Sequence, residues 1–115
     1  MTDFNKTRDQ LIERALKMIG ALQPGEAAAA EDAETVDELI DPLIAQLAAD
    51  RIIVIQDLDA IELEVFMPLA SLLANAAGPD FGSPFNDEAK ARDEATLRRI
   101  NSTDPTYETM TGSYY

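Results

Sequence analysis

Leu11, Ile12, Ala15, Leu16 and Ile19 recur at steps of three and four residues, which sets them on one face of a helix. Thr7-Arg-Asp-Gln10, just ahead, has the spacing of a capping box, and Gly20 or the Gln23-Pro24-Gly25 stretch ends the pattern. A second stripe, Val36, Leu39, Ile40, Leu43, Ile44 and Leu47, predicts a long amphipathic helix over about 27–49, with Glu31, Asp32, Glu34, Asp37, Glu38 and Asp41 largely off the stripe. Pro42 lacks a backbone donor and crowds the preceding turn, so this helix is expected to kink near Glu38 to Asp41 or restart there.

Four consecutive β-branched residues, Ile52 to Ile55, disfavour continued helix and suit a short extended connector or edge strand, too isolated for a sheet within one chain. Asp59-x-x-Glu62 then has the spacing to cap a third helix whose buried face is Ile61, Val65, Leu69, Leu72, Leu73 and Ala76; Pro68 inside it implies a kink or a later start. Gly78-Pro79 stops that helix, and the turn-rich link Asp80 to Phe85 is expected to be pinned to the core by Phe81 and Phe85. Asn86 can cap a fourth helix through Ile100 that has little beyond Ala89, Leu97 and Ile100 to bury, and it reads as weakly anchored.

Residues 101–115 show no apolar periodicity yet hold every tyrosine of the chain, Tyr107, Tyr114 and Tyr115, together with Met110, on a Ser/Thr/Gly/Pro background. Such a segment cannot bury enough surface to order itself, so its aromatics are expected to be exposed unless another surface receives them. It reads as an arm that docks on a partner through Tyr107, Met110, Tyr114 and Tyr115, the amphipathic anchors that interfaces enrich. The expected architecture is all-α: a small bundle of about four helices over 1–100, with a short extended connector, and an extended C-terminal arm over 101–115.

A chain of 115 residues is enough for one domain with one core. It has no Cys and no His, which removes disulfides, structural zinc of the usual kind, thiol nucleophiles and the side chain best suited to acid–base work near neutral pH. No secretory leader pattern opens the sequence and its apolar runs are far short of a membrane span, so a soluble, intracellular protein that does not engage a membrane is expected. The net charge of −13 is concentrated: residues 23–50 hold eight acidic and no basic groups. That surface repels phosphate and disfavours sequence-specific nucleic-acid binding, while letting DNA slide past without sticking.

Glu31-Asp32-x-Glu34-x-x-Asp37-Glu38 is the densest acidic cluster, but it lacks the glycine turn and alternating ligands of a calcium loop and reads as a solvated helix face. Asp57-x-Asp59-x-x-Glu62 reads as a turn and a helix cap. Without a phosphate loop, nucleophile elbow or Ser/Lys signature, no catalytic residue, metal or cofactor is expected, and the chain reads as a non-enzyme. Arg98-Arg99, with Lys90 and Arg92 before them, complement the dipole of the last helix. They are also placed to pair with carboxylates on a partner or on the acidic helix of a neighbouring subunit.

With these elements in view the chain resembles the small helical head-to-tail connector proteins of tailed bacteriophages and related gene-transfer particles, also called adaptor or head-completion proteins. The likeness rests on the opening helix Thr7 to Gly20, the acidic helix Glu31 to Ile44, the segment Asp57 to Gly82 with its Phe-Gly ending, and an arm finishing in Tyr114-Tyr115. It spans nearly the whole chain through helix patterns without catalytic signatures.

The resemblance implies a homo-oligomeric ring, commonly of twelve copies, seated beneath the portal protein and continuing the DNA channel toward a tail or second connector protein. Its location would be the head–tail interface of the virion, after synthesis in the host bacterial cytoplasm. The arm would reach the portal, and an extended segment of its length can span up to roughly 50 Å. An acidic lumen would let DNA pass without trapping it, and the basic last helix (Arg92, Arg98, Arg99) against the acidic helix (Glu31, Glu34, Glu38) offers a heterologous inter-subunit contact. The rival reading is a small acidic interaction module, antitoxin-like or a DNA-mimic inhibitor, whose determinants would lie in Glu26 to Asp41 and leave the arm dispensable.

Overall fold

The structure, a computed structural model, describes residues 5–102. In chain order it comprises strand β1 (Asn5–Lys6), helix α1 (Arg8–Ile19), helix α2 (Ala30–Ala49), strand β2 (Ile61–Glu62), helix α3 (Leu63–Ala77), a 3₁₀ turn (Gly78–Phe81) and helix α4 (Asp87–Ser102). The protein is an all-α bundle of four helices carrying one two-residue antiparallel ladder, with Asn5 opposite Glu62 and Lys6 opposite Ile61.

The expected cap of α1 forms in both directions. The main-chain N–H of Gln10 donates to Thr7 Oγ1 (3.2 Å) and that of Thr7 to Gln10 Oε1 (2.9 Å). At the other end Gly20 sits at φ 88°, where a side chain would be strained, and its N–H and that of Ala21 close the last carbonyls of the helix.

The second helix starts at Ala30 rather than Ala27, after the extended N-cap Ala29, which makes no side-chain cap bond, and it runs through Pro42 without restarting. Pro42 lies on the exposed side, so the acceptor it strands on Glu38 can face water. At its C-terminus Arg51 takes the left-handed position (φ 60°), its N–H bonded to Ala48 and that of Ile52 to Leu47.

Ile53 to Asp57 form neither helix nor strand; the ladder lies instead between two segments whose sequences carry no strand period. That ladder also overturns the expected cap of α3. Since Ile61–Glu62 pair with β1, the helix cannot start until Leu63, and Glu62 at its N-cap makes no side-chain bond. Asp59 Oδ1 instead accepts from the Arg8 N–H (3.4 Å), while Asp57 Oδ1 accepts from the Asp59 N–H (2.9 Å) in a tight turn. Pro68 is accommodated inside α3.

The core is organised around α3, which packs on α1, α2 and α4. It buries Val65, Phe66, Leu69, Ala70, Leu72, Leu73 and Ala77, so the last inward alanine is Ala77 and not Ala76. Facing it are Leu11, Ile12, Ala15 and Leu16 of α1, Val36, Ile40 and Leu47 of α2, and Leu97 of α4. Phe81 packs against this core but Phe85 is exposed, so only one of the two phenylalanines pins the link.

The fourth helix is better held than its sparse apolar face implied. Asn75 and Asn86 exchange two hydrogen bonds, Asn75 Nδ2 to the Asn86 carbonyl (2.7 Å) and the Asn86 N–H to Asn75 Oδ1 (2.9 Å). Asn86 Oδ1 in turn caps α4 by accepting from the Ala89 N–H (3.0 Å). Leu97 is fully buried, and Asp93 enters the interface to accept a hydrogen bond from Ser71 Oγ. Polar bonds replace the missing apolar area.

Candidate functional site

Charge is sorted on the surface by one cross-helix knot. Arg8 leaves the first turn of α1 toward α2, where its Nε meets Asp37 Oδ1 (2.7 Å), its Nη1 meets Asp41 Oδ1 (3.2 Å) and its Nη2 donates to the Asp37 carbonyl (3.3 Å). The Asp37 bond, above all, pushes the guanidinium pKa above its ordinary value. Two members of the acidic stretch are thereby tied to the bundle, while Glu31, Glu34 and Glu38 remain exposed on α2. Among the described residues no group of three or more His, Cys, Asp or Glu side chains is arranged to hold a metal ion.

On α4 the cations divide in the same way. Lys90 pairs with Glu94 one turn on (2.6 Å), and Arg92 Nε turns to Asp93 Oδ1 (3.3 Å), whose other oxygen takes Ser71. Arg98 and Arg99 are exposed and project from the last turns. Among the described residues no ion pair joins α4 to α2 within the chain, so Arg92, Arg98 and Arg99 are not brought onto Glu31, Glu34 and Glu38 of the same copy. Helix α4 continues through Asn101 and Ser102, the first two residues of the expected arm; Tyr107, Met110, Tyr114 and Tyr115 lie outside the described residues.

Two further features were not legible in the sequence. Lys6 Nζ stands 5.7 Å from the centroid of the Phe66 ring, and Gln10, Glu13, Arg14 and Lys17 complete the walls of a shallow, basic depression there. The second is an open cleft of about 590 Å³ between the Ile53–Asp57 stretch, β2, the start of α3 and the end of α4. Ile53, Ile55, Ile61, Val65 and Ile100 give it apolar walls, and Asp57, Glu62 and Glu64 make its rim acidic. The first uses Lys6 of β1, set there by the β1–β2 ladder, a contact across more than fifty residues that no local pattern announces.

No helix among the described residues is long and apolar enough to cross a membrane. Comparison of the chain with protein-family models, with curated proteins and with solved structures finds no match.

Proposed function

We propose that the protein is a structural connector of a phage virion, a non-enzymatic adaptor that assembles as a ring beneath the portal, continues the DNA channel and joins the head to the tail. The observation that carries this reading is the separation of exposed charge onto two helices: Glu31, Glu34 and Glu38 on α2, and Arg98 and Arg99 at the end of α4, with no ion pair between them inside one copy. Opposite faces that cannot satisfy each other within a subunit can do so between neighbours, head to tail, which is the contact type that closes rings. The tyrosine-bearing segment follows α4 in the sequence, soon after Arg98 and Arg99, and its length lets it reach a portal subunit. Acidic side chains left on the outer side of α2 suit a channel through which DNA moves without electrostatic capture.

Mixing the purified protein with isolated portal rings tests the proposal. Electron microscopy and light scattering should show a stack of two rings with the portal present and no large ring in its absence, since a net charge of −13 per copy opposes self-assembly in solution. Failure to associate with portal at near-physiological salt would reject it.

A further inference from the structure

The shallow basic depression on α1 and α3 stands apart on a chain of net charge −13. Lys6, Arg14 and Lys17 bring three cations to its walls and Glu13 the only anion, and none of the four makes an ion pair among the described residues. Phe66 forms the floor, with Lys6 Nζ over its ring. Beside Phe66 on the same helix, Leu63 and Met67 are about half exposed. At about 150 Å³ the depression has room for one aromatic side chain and not for a helix. Its chemistry suits an aromatic ring that carries a carboxylate next to it.

Such a pair occurs in the chain itself. Tyr107-Glu108 belongs to the segment 103–115, which holds the acids Asp104 and Glu108 and no cation. The end of α4, from which that segment continues, is close by. Ile100 and Asn101 share a cleft with Ile61, Glu62 and Val65, while Lys6 stands opposite Ile61 in the ladder and Phe66 follows Val65. The end of α4 and the depression thus flank the junction of β2 and α3, about one helix diameter apart, roughly 10–12 Å. Tyr107 is the fifth residue after Ser102, which gives it a reach of up to roughly 17 Å.

We infer that Tyr107-Glu108 docks in this depression of its own chain, the ring against Phe66 and Lys6 and the carboxylate toward Arg14 and Lys17. The open cleft beside Ile100 is nearer, but its rim of Asp57, Glu62 and Glu64 repels Asp104 and Glu108. A short tether makes the contact intramolecular, and one ring with one carboxylate holds weakly, so docked and free states coexist in comparable amounts. The contact lies within one copy and neither needs nor follows from the connector reading. Any partner that takes Tyr107 has to compete with the depression for it.

Tyrosine fluorescence of the full chain tests the assignment, because there is no Trp and all three Tyr lie in 103–115. With Tyr114→Phe and Tyr115→Phe in place, Tyr107 is the sole emitter of its kind. Its quenching constant with acrylamide should be about half that of a synthetic peptide of residues 103–115 with the same two changes, as for a docked state held about half of the time. Arg14→Glu with Lys17→Glu should raise the constant to the peptide's value, and so should Glu108→Arg, which alters no residue of the bundle. Combining all three should lower it again, because the charges are then exchanged across the contact. Arg14 and Lys17 are exposed, so the circular dichroism of every variant should match wild type. Dilution by about tenfold should change nothing, since the tether fixes the local concentration. A parent chain quenched like the peptide would overturn the assignment and leave the depression to residues 1–4 or to a partner. So would single reversals without effect, a combination that does not restore protection, or protection that is lost on dilution. Release by Arg98→Glu with Arg99→Glu in place of the Arg14 and Lys17 reversals would seat Tyr107 on the end of α4 instead.

Discussion

Ser71 on α3 donates its hydroxyl to Asp93 on α4 at 2.5 Å, and Asp93, 5% exposed, is the one charged side chain buried among the described residues. A buried carboxylate is tolerated only if bonded, and removing one partner of such a pair costs more than removing both. Ser71→Ala and Asp93→Ala should each destabilise by about 1–3 kcal/mol, whereas Ser71→Ala with Asp93→Leu should lie close to wild type. Urea unfolding followed by circular dichroism checks this, and equal, additive losses would mean that the bond does not couple the helices.

The elements legible in the sequence are those closed by neighbours along the chain. Thr7 with Gln10, Gly20, and Asn86 with Ala89 are caps whose partners sit three or four residues away, and each is found where its pattern sets it. Arg8 with Asp37, Lys6 with Phe66 and Asn75 with Asn86 join segments that only the fold brings together, and nothing local marks them. The misplaced cap at Asp59 has the same origin: the Asp-x-x-Glu spacing is genuine, but tertiary pairing of Ile61–Glu62 with Asn5–Lys6 outweighs it. Of the charged faces, the sequence marked the residues but not which would be spent inside the subunit.

Arg8 should not be replaceable by lysine. Its guanidinium serves Asp37 through Nε and Nη2 and Asp41 through Nη1, a fork that an ammonium cannot copy. Because the groups are partly exposed, solvent screening holds the loss to about 0.5–1 kcal/mol for Arg8→Ala, and Arg8→Lys should recover less than half of it. The raised pKa of Arg8 means that stability from its charged form is present throughout the neutral and mildly alkaline range and is lost only as pH rises through that raised value. A melting temperature of Arg8→Ala that matches wild type at pH 7 would show that the knot contributes nothing.

Neutralising the remaining acids should be tolerated. Glu31→Gln and Glu34→Gln together remove exposed like charges from one helix face and should change stability by less than about 0.5 kcal/mol, whereas Asp37→Asn added to them should cost the Arg8 bond. Calorimetric titration with calcium, magnesium and manganese should show no tight site. Micromolar binding that these substitutions abolish would reassign the stretch to a metal.

The strongest demand on the connector reading falls on residues 103–115. Residues 103–115 carry no apolar periodicity, so truncation after Ser102 should shift the melting temperature little, and the cut belongs there because α4 continues past Ile100. The same truncation should remove most of the affinity for portal rings. Tyr107→Ala, Tyr114→Ala or Tyr115→Ala should each cost about 1–3 kcal/mol of that affinity where the ring is buried against a portal subunit, and nearly nothing where it is not. The acidic-module rival predicts the reverse, with binding lost on neutralising Glu31, Glu34 and Glu38 and unchanged by truncation. A truncated chain that still occupies portals at the wild-type level would make the segment dispensable and transfer the docking surface to the helices, with Arg98 and Arg99 the first positions to reverse in charge.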